Sequence, residues 1–243
     1  MRLNKNKILI TGGTAGIGKA LTEKFLELDN EIIVVGRNAK RLKELSKSDK
    51  RVIPFKCDIT KQDELDELTV FIEQQHSDLN ILINNAGIQY NYHFSNEPQL
   101  LHKIEYEINA NFLAPLRLIA LMLPTLKIND NSAIVNVSSG LGLVPKMQAP
   151  VYCGTKAGIH IFSKSLRYQL EKVKVFEIIP ALVDTEMTAG RGKGKISPQR
   201  LVDEFIRAFN KNIYEVNIGK VKLLKFINRI SPSLADKIMK SGR

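Results

Sequence analysis

Short, uniformly apolar runs alternate with amphipathic stretches along most of the chain, and this alternation limits the fold more than any other feature. The runs cover residues 7–10, 31–35, 52–55, 79–83, 133–137 and 173–179. A strand that is apolar throughout has both faces covered, as strands in parallel sheets do. The stretches between them predict helices over 17–28, 39–46, 61–75, 97–126 (one long helix or two abutting ones) and 151–170. In the third of these, Leu65, Leu68, Phe71 and Ile72 share one face, the helical spacing. Strand and helix in strict turn imply an α/β fold: a three-layer, doubly wound parallel sheet with helices on both faces.

With 243 residues the chain suits one large domain or two small ones. No repeat, linker or low-complexity tract divides it, so one domain over 1–243 is expected. The exception to the packed pattern is Ala189-Gly190-Arg191-Gly192-Lys193-Gly194-Lys195. Its alternating glycines predict a mobile loop within 188–200. The segment 210–243 mixes apolar and basic residues, and Ser231-Pro232 within it reads as a helix start.

The formal net charge is +11, and the excess is concentrated from Arg191 onward. Nucleic acid, an anionic membrane or an anionic small molecule are the partner classes this suggests. Cys57 and Cys153 make no spaced framework, which points to a reducing compartment without a structural disulfide. His76, His93, His102 and His160 show no paired ligand spacing, so no metal site is expected. The basic start is followed by too short an apolar run for a signal peptide, and 113–126, with Arg117 and Pro124, falls short of a membrane span. A cytoplasmic location is expected.

At the first strand-to-helix turn stands Thr11-Gly12-Gly13-Thr14-Ala15-Gly16-Ile17-Gly18. Glycines there let the backbone approach a phosphate, and the N–H groups of the helix start attract its charge. The spacing of Gly12, Gly16 and Gly18 is G-x-x-x-G-x-G rather than the usual dinucleotide G-x-G-x-x-G. The second strand ends Val35-Gly36-Arg37-Asn38, with no acid for a ribose 2′-hydroxyl and a guanidinium in its place. Arg37 therefore points to NADP(H), with NAD(H) less favoured, and Asn38 and Arg41 are candidate helpers. Gly190 to Lys195 lacks the Gly-Lys-Ser/Thr ending of a phosphate loop.

Tyr152 and Lys156, four apart, fall on one face of a helix, with Ser139 thirteen positions upstream. An ammonium beside a phenol favours phenolate, so the pair predicts a tyrosine pKa drawn down from about 10. Such a group suits general acid–base catalysis. Cys153, next to the tyrosine, has no base identifiable in sequence and reads as packing. Ser138 reads as a polar strand end.

Taken together, Thr11 to Gly18, Asn84-Asn85-Ala86-Gly87, Ser139, Tyr152 and Lys156 resemble the short-chain dehydrogenase/reductase family, in order, from residue 7 to about 187. The resemblance implies a Rossmann-type sheet of about seven parallel strands and a nicotinamide cofactor. It makes Tyr152 the acid/base and Lys156 its tuner and a ligand of the nicotinamide ribose. Ser139 would hold the substrate oxygen. Asn111, with Asn109 as rival, would distort its helix and anchor a water in a proton relay. Gly12, Thr14, Ala15, Gly16, Ile17 and Gly18 would cradle the cofactor. Asp58, beside Ile59, would bind adenine or else cap the next helix, and Asn85, Ala86 and Gly87 would shape the turn near the ribose. Pro180-Ala181-Leu182-Val183-Asp184-Thr185 is similar to the family's P-G-x-V-x-T, so Pro180, Val183 and Thr185 would contact carboxamide and phosphate. Ala181 replaces the glycine, and a slightly different turn is expected. The helices over 98–126 and 151–170 would form a homodimer or homotetramer.

The function these readings imply is an NADP(H)-dependent oxidoreductase interconverting a carbonyl and a secondary alcohol. The alternatives are an NADP-binding sensor or scaffold and a peripheral membrane-associated reductase; a nucleic-acid partner, weighed for the basic tail, is not expected. The membrane-associated reading draws on Val221, Leu223, Leu224, Phe226, Ile227 and Ile230 among Lys222, Lys225 and Arg229. A C-terminal helix packed on the substrate side or in an oligomer interface explains the same pattern. The basic 188–199 segment hints at an anionic or lipid-linked carbonyl substrate, or is a solvated loop.

Overall fold

The computed structural model describes residues 1–240. Seven strands form one parallel sheet in the order β3-β2-β1-β4-β5-β6-β7. They are β1 (Lys7–Thr11), β2 (Glu31–Gly36), β3 (Val52–Lys56), β4 (Ile81–Asn84), β5 (Ala133–Val137), β6 (Lys174–Pro180) and β7 (Glu215–Ile218). Alternation along each strand divides the core in two. Ile8, Ile10, Ile32 and Val34 face α1 (Gly16–Glu27), α2 (Ala39–Ser48) and α7 (Pro198–Asn210). Leu9, Ile33, Val35 and Leu82 face α3 (Gln62–Gln75), α5 (Ala114–Ile128) and α6 (Pro150–Gln169). Side chains with a period of two, apolar at every position, need a helical layer on each side.

The chain runs from β1 outward to β3, then crosses back to β4. Residues at the carboxyl ends of β1 and β4 therefore border a crevice, the place where open α/β sheets bind ligands. Thr11 and Asn85 hold that crevice's floor. The Thr11 hydroxyl accepts from the N–H groups of Asn85 and Ala86, each at 3.0 Å, and the Asn85 amide donates to the Thr11 carbonyl at 2.9 Å.

From Leu100 to Ile128 the chain is helical throughout: α4 (Leu100–Ile108), a π-helical turn (Asn109–Leu113) and α5. At 29 residues this is long and apolar enough to cross a membrane by length and composition, more than the sequence pattern of 113–126 suggests. Leu118, Ile119, Met122 and Leu126 are buried against the sheet, which accounts for its apolar character.

Two elements go beyond the sequence reading. α7 begins at a Ser197 cap, whose hydroxyl accepts from the Arg200 N–H at 3.2 Å, with proline at its first turn. It buries Leu201, Val202, Phe205 and Phe209. β7 is a four-residue edge strand in the segment read only as a basic tail; Val216 and Ile218 alternate into the core. Beyond it come α8 (Val221–Ile230) and α9 (Pro232–Lys240), the latter starting at the expected proline. Arg243, the last of the tail's basic residues, lies outside the described residues.

Candidate active site

The turn from β1 into α1 is built for close approach. Gly16 has φ +52, and a Cβ on Gly18 would lie 2.2 Å from the Gly12 carbonyl oxygen. Ala15 at the N-cap supplies no side-chain hydrogen bond, so the first-turn N–H groups of α1 point into the crevice uncapped, a natural anion site. A cleft of about 670 Å³ runs from this turn past Gly36, Arg37, Asp58 and Ile59 to Ala86, Gly87, Tyr152 and Lys156. Gly12, Thr14, Ala15, Gly16, Ile17, Asn85, Pro180 and Thr185 line it as well; of the candidate cofactor residues, Gly18 does not line it and Val183 lines the neighbouring cavity instead. Its volume lies in the range of small-molecule and cofactor sites, and the glycine cradle with the uncapped helix start suits a dinucleotide.

At the far end of β2, Arg37 is largely exposed, with its guanidinium hydrogen-bonded to the Tyr106 hydroxyl and 3.9 Å from the Asp58 carboxylate. Asp58 accepts from the N–H and hydroxyl of Thr60 at 3.1 and 2.8 Å. It thereby forms a turn before α3 and does not cap it; the N-cap position is Lys61. The proposed helpers of Arg37 are engaged elsewhere. Asn38 caps α2 through the Arg41 N–H at 3.0 Å, and Arg41 grips Glu186 across the cleft with two bonds of 2.9 and 3.2 Å. No sequence spacing marks that bridge.

Asn111 lies inside the π-helical turn, a distortion often found at functional sites. Its side chain accepts from the Ile88 N–H and donates to the Ile88 carbonyl, both at 2.8 Å. Asn109, the rival, instead donates to the Thr60 carbonyl at 3.2 Å. Lys156 is buried and donates to the Val137 carbonyl at 2.8 Å; its ammonium stands 5.7 Å from the centre of the Tyr152 ring. Ser139 opens a short 3₁₀ turn at the end of β5, its hydroxyl accepting from the Leu141 N–H at 3.1 Å.

The charge balance corrects one expectation. Tyr152 is not drawn down. Burial pushes its phenol up to about 12, against the lowering effects of the Ser139 hydrogen bond and the Arg191 charge. Burial likewise pushes Lys156 down to about 8, opposed by the carboxylates of Glu177 and Glu107. The i, i+4 spacing places cation and phenol together, but both are almost wholly enclosed, and desolvation opposes each charged form.

Glu177, fully buried on β6, was not visible in the sequence pattern. It accepts from the Ser138 hydroxyl at 2.5 Å, and His160 Nδ1 lies 2.9 and 3.1 Å from its two oxygens. That hydrogen bond raises the His160 pKa. Through Glu177, Ser138 ties the end of β5 to the helix that carries Lys156, and it also lines the first cleft. Cys153 is buried with its thiol pushed up by burial, as a packing residue requires.

A second cavity of about 480 Å³ adjoins the first, and Ile17, Tyr152, Pro180, Thr185 and Met187 line both. Ser139 faces this one, whose outer wall is α8 and α9 through Val221, Leu224, Ile227 and Met239. The loop after β6 closes another side. Val183 bridges to Ile196, Thr185 and Thr188 cap each other, and Lys195 donates to the Thr188 carbonyl at 2.8 Å. Ala181 keeps an ordinary φ, since it is not among the described residues with positive φ, so this turn does not need glycine. Apart from these cavities, a hollow of about 540 Å³ lies at the amino ends of the strands, where Lys7 pairs with Glu31 and Asp78.

Residues 6–195 match the model of the short chain dehydrogenase family. The "Uncharacterized oxidoreductase DltE" of Bacillus subtilis (strain 168) is 36% identical over 237 residues, 94% of each chain. A short chain dehydrogenase from Burkholderia cenocepacia J2315, solved in complex with NADP, superposes with a TM-score of 0.88 at 24% identity, covering 98% of this chain and 99% of that one. A short-chain dehydrogenase from Sphingobium yanoikuyae, solved in complex with NADPH, gives 0.82 at 25% identity, with 95% and 96% covered.

Proposed function

The chain belongs to the short-chain dehydrogenase family, and from that premise we propose that it is an NADP(H)-dependent oxidoreductase interconverting a carbonyl compound and a secondary alcohol. The observation that carries this reading is the position of Tyr152, where a dinucleotide-sized cleft meets a second cavity, with Ser139 on one side and Lys156 on the other. The NADPH bound by the Sphingobium yanoikuyae relative supports a nicotinamide dinucleotide here. The uncapped start of α1 would hold its pyrophosphate, Asp58 its adenine and Lys156 its nicotinamide ribose. Arg37, exposed at the end of a β2 that has no acid there, would hold a 2′-phosphate.

When bound, the reduced nicotinamide supplies a hydride. The chain's own task is the proton. Reduction adds a hydride to carbon and one proton to oxygen, and Tyr152, protonated at neutral pH, donates that proton while Ser139 donates a hydrogen bond to the same oxygen. Lys156, charged below about pH 8, steadies the charge left on the phenol. Asn111 holds Ile88 at the crevice edge and keeps the helix open beside Lys156. Tyr152→Phe tests the assignment: NADPH oxidation with a panel of aldehydes, ketones and quinones should vanish while NADPH still binds by fluorescence titration. Turnover that survives the substitution removes Tyr152 from the reaction.

The exposed apolar side chains Leu101, Ile161 and Tyr168 on α4 and α6 support a homo-oligomer formed through these helices. A second reading adds peripheral membrane contact. On α8, Phe226 and Ile230 point outward and Leu223, which also borders the second cavity, lies beside them, all three 60–67% exposed, next to a stripe of Lys222, Lys225 and Arg229. Lys222 and Lys225 are partly offset by Glu204 and Glu215. An apolar stripe flanked by cations suits an anionic bilayer. Co-sedimentation with phosphatidylglycerol vesicles, lost when the three apolar residues become serine, is the expected result; unchanged partitioning ends the idea.

A further inference from the structure

The cavity beyond Tyr152 has an unusual charge pattern. Lys146, Arg191, Lys193 and Lys220 line it, and among the described residues no aspartate or glutamate does. The rest of the lining is largely apolar, including Leu141, Leu182, Leu224 and Ile227. Its volume of about 480 Å³ falls within the range for small-molecule sites. Four cations without a counter-charge around an apolar hollow describe a ligand that is greasy over most of its length and negative at one point.

Arg191 marks that point. It shares the cavity with Ser139 and Tyr152, and its Nη1 is buried with no hydrogen-bond partner. An unpaired buried guanidinium N–H is costly, and the planar fork matches an oxyanion with two parallel bonds. The loop is shaped to place it. The Arg191 N–H donates to the Thr188 carbonyl at 3.0 Å, and the flanking Gly190 and Gly192 both have positive φ, at +71 and +59. A Cβ on Gly192 would come within 2.5 Å of Leu182, so glycine there lets the loop lie against the cavity wall. Lys195 anchors the far side of the loop through Asp184 at 3.2 Å and the Thr188 carbonyl.

We infer that this cavity takes a carbonyl compound, or the matching alcohol, that carries an apolar chain and a carboxylate or phosphate close to the reacting carbon, with Arg191 as the anchor of the anionic group. The reacting carbonyl rests on the oxidoreductase reading above; the recognition of the anion and the chain does not. Closeness follows from Arg191 lining the same cavity of about 480 Å³ as Tyr152 and Ser139. Sequence spacing alone gives no such link, since Arg191 and Tyr152 lie on different elements.

Isothermal titration calorimetry with octanoate and octanamide, probes of equal chain length, tests the inference on the protein with and without NADP⁺. Octanoate should bind at least about tenfold more tightly than octanamide. Arg191→Gln should remove most of that margin and leave octanamide unchanged, and octyl phosphate should follow octanoate. Equal affinities in the native protein, or a margin that survives Arg191→Gln, overturns the inference. If the glutamine variant does not fold, Arg191→Lys takes its place: the charge remains but the fork is gone, so the margin should shrink, and an undiminished margin overturns the anchoring role. Because titration needs no turnover, the two readings fail separately. A protein that prefers octanoate yet never oxidises NADPH contradicts the reductase reading alone, whereas rapid reduction of uncharged ketones with no octanoate margin contradicts only this one.

Discussion

Replacing Lys156 with methionine should make the protein no less stable at neutral pH, although it removes a residue from the heart of the site. The lysine is almost wholly buried, and burial moves its pKa from 10.5 to about 8. At about 1.4 kcal/mol per unit, keeping it charged near pH 7 costs the fold about 3 kcal/mol. Against this, Val137 loses the donor at 2.8 Å, a penalty of about 1–3 kcal/mol. The net change should lie between zero and about 2 kcal/mol of stabilisation. The pH dependence separates the two contributions. Between about 8 and 10.5 the unfolded chain keeps a proton on this lysine that the folded chain has lost, so native stability rises with pH through that window. Methionine cannot titrate. Urea denaturation of both proteins from pH 7 to 10 should show the native protein gaining roughly 2–3 kcal/mol on the variant. Parallel curves over that range would falsify the buried-charge account.

Two further perturbations test the cofactor cleft. Arg37→Ala should lower the NADPH over NADH preference in kcat/KM by about 10–100-fold, the worth of roughly 1.5–3 kcal/mol in charged hydrogen bonds, and an unchanged ratio removes the 2′-phosphate role. Gly18→Ala puts a Cβ 2.2 Å from the Gly12 carbonyl oxygen, a backbone clash expected to cost about 1–3 kcal/mol; thermal melts and NADPH titration should both weaken, and a native melting temperature with native affinity refutes the close-approach argument.

What the sequence made legible was local. The first turn, the end of β2 and the pair on α6 each sit within a few residues, so the fold only had to bring them together. Seven strands were expected, but the seventh could not be assigned: β7 is a four-residue edge, and its Val216 and Ile218 give too short an alternation to stand out from a basic tail. α7 was legible and overlooked, since Ser197-Pro198 followed by Leu201, Val202, Phe205 and Phe209 is a capped amphipathic pattern. The Arg41–Glu186 bridge and the Ser138–Glu177–His160 cluster join elements far apart in the chain, and no spacing rule reaches them. Placing α8 and α9 on the second cavity favours the substrate-side reading of the C-terminal segment for Val221, Leu224 and Ile227, while their outward neighbours leave room for a surface.

If the proposed reaction is the one catalysed, its favoured direction follows from the sign of the site's electrostatics. A phenol held at about 12 is a proton donor at neutral pH, so the described geometry suits reduction; oxidation needs the phenolate, which burial opposes. The groups that favour phenolate are Ser139 and Arg191. An anion bound to Arg191 cancels part of that second influence and holds the proton on Tyr152 more firmly. A substrate of the inferred kind therefore strengthens the acid that serves its own reduction, and the alcohol product, carrying the same anion, is held in the site where the phenol least readily takes a proton back. Uncharged substrates lack this bias. In the proposed reaction Lys156 sets the upper limit: as pH rises past about 8 its ammonium is lost, the charge left on the phenol is less well balanced, and reduction should decline while the phenol itself is still protonated.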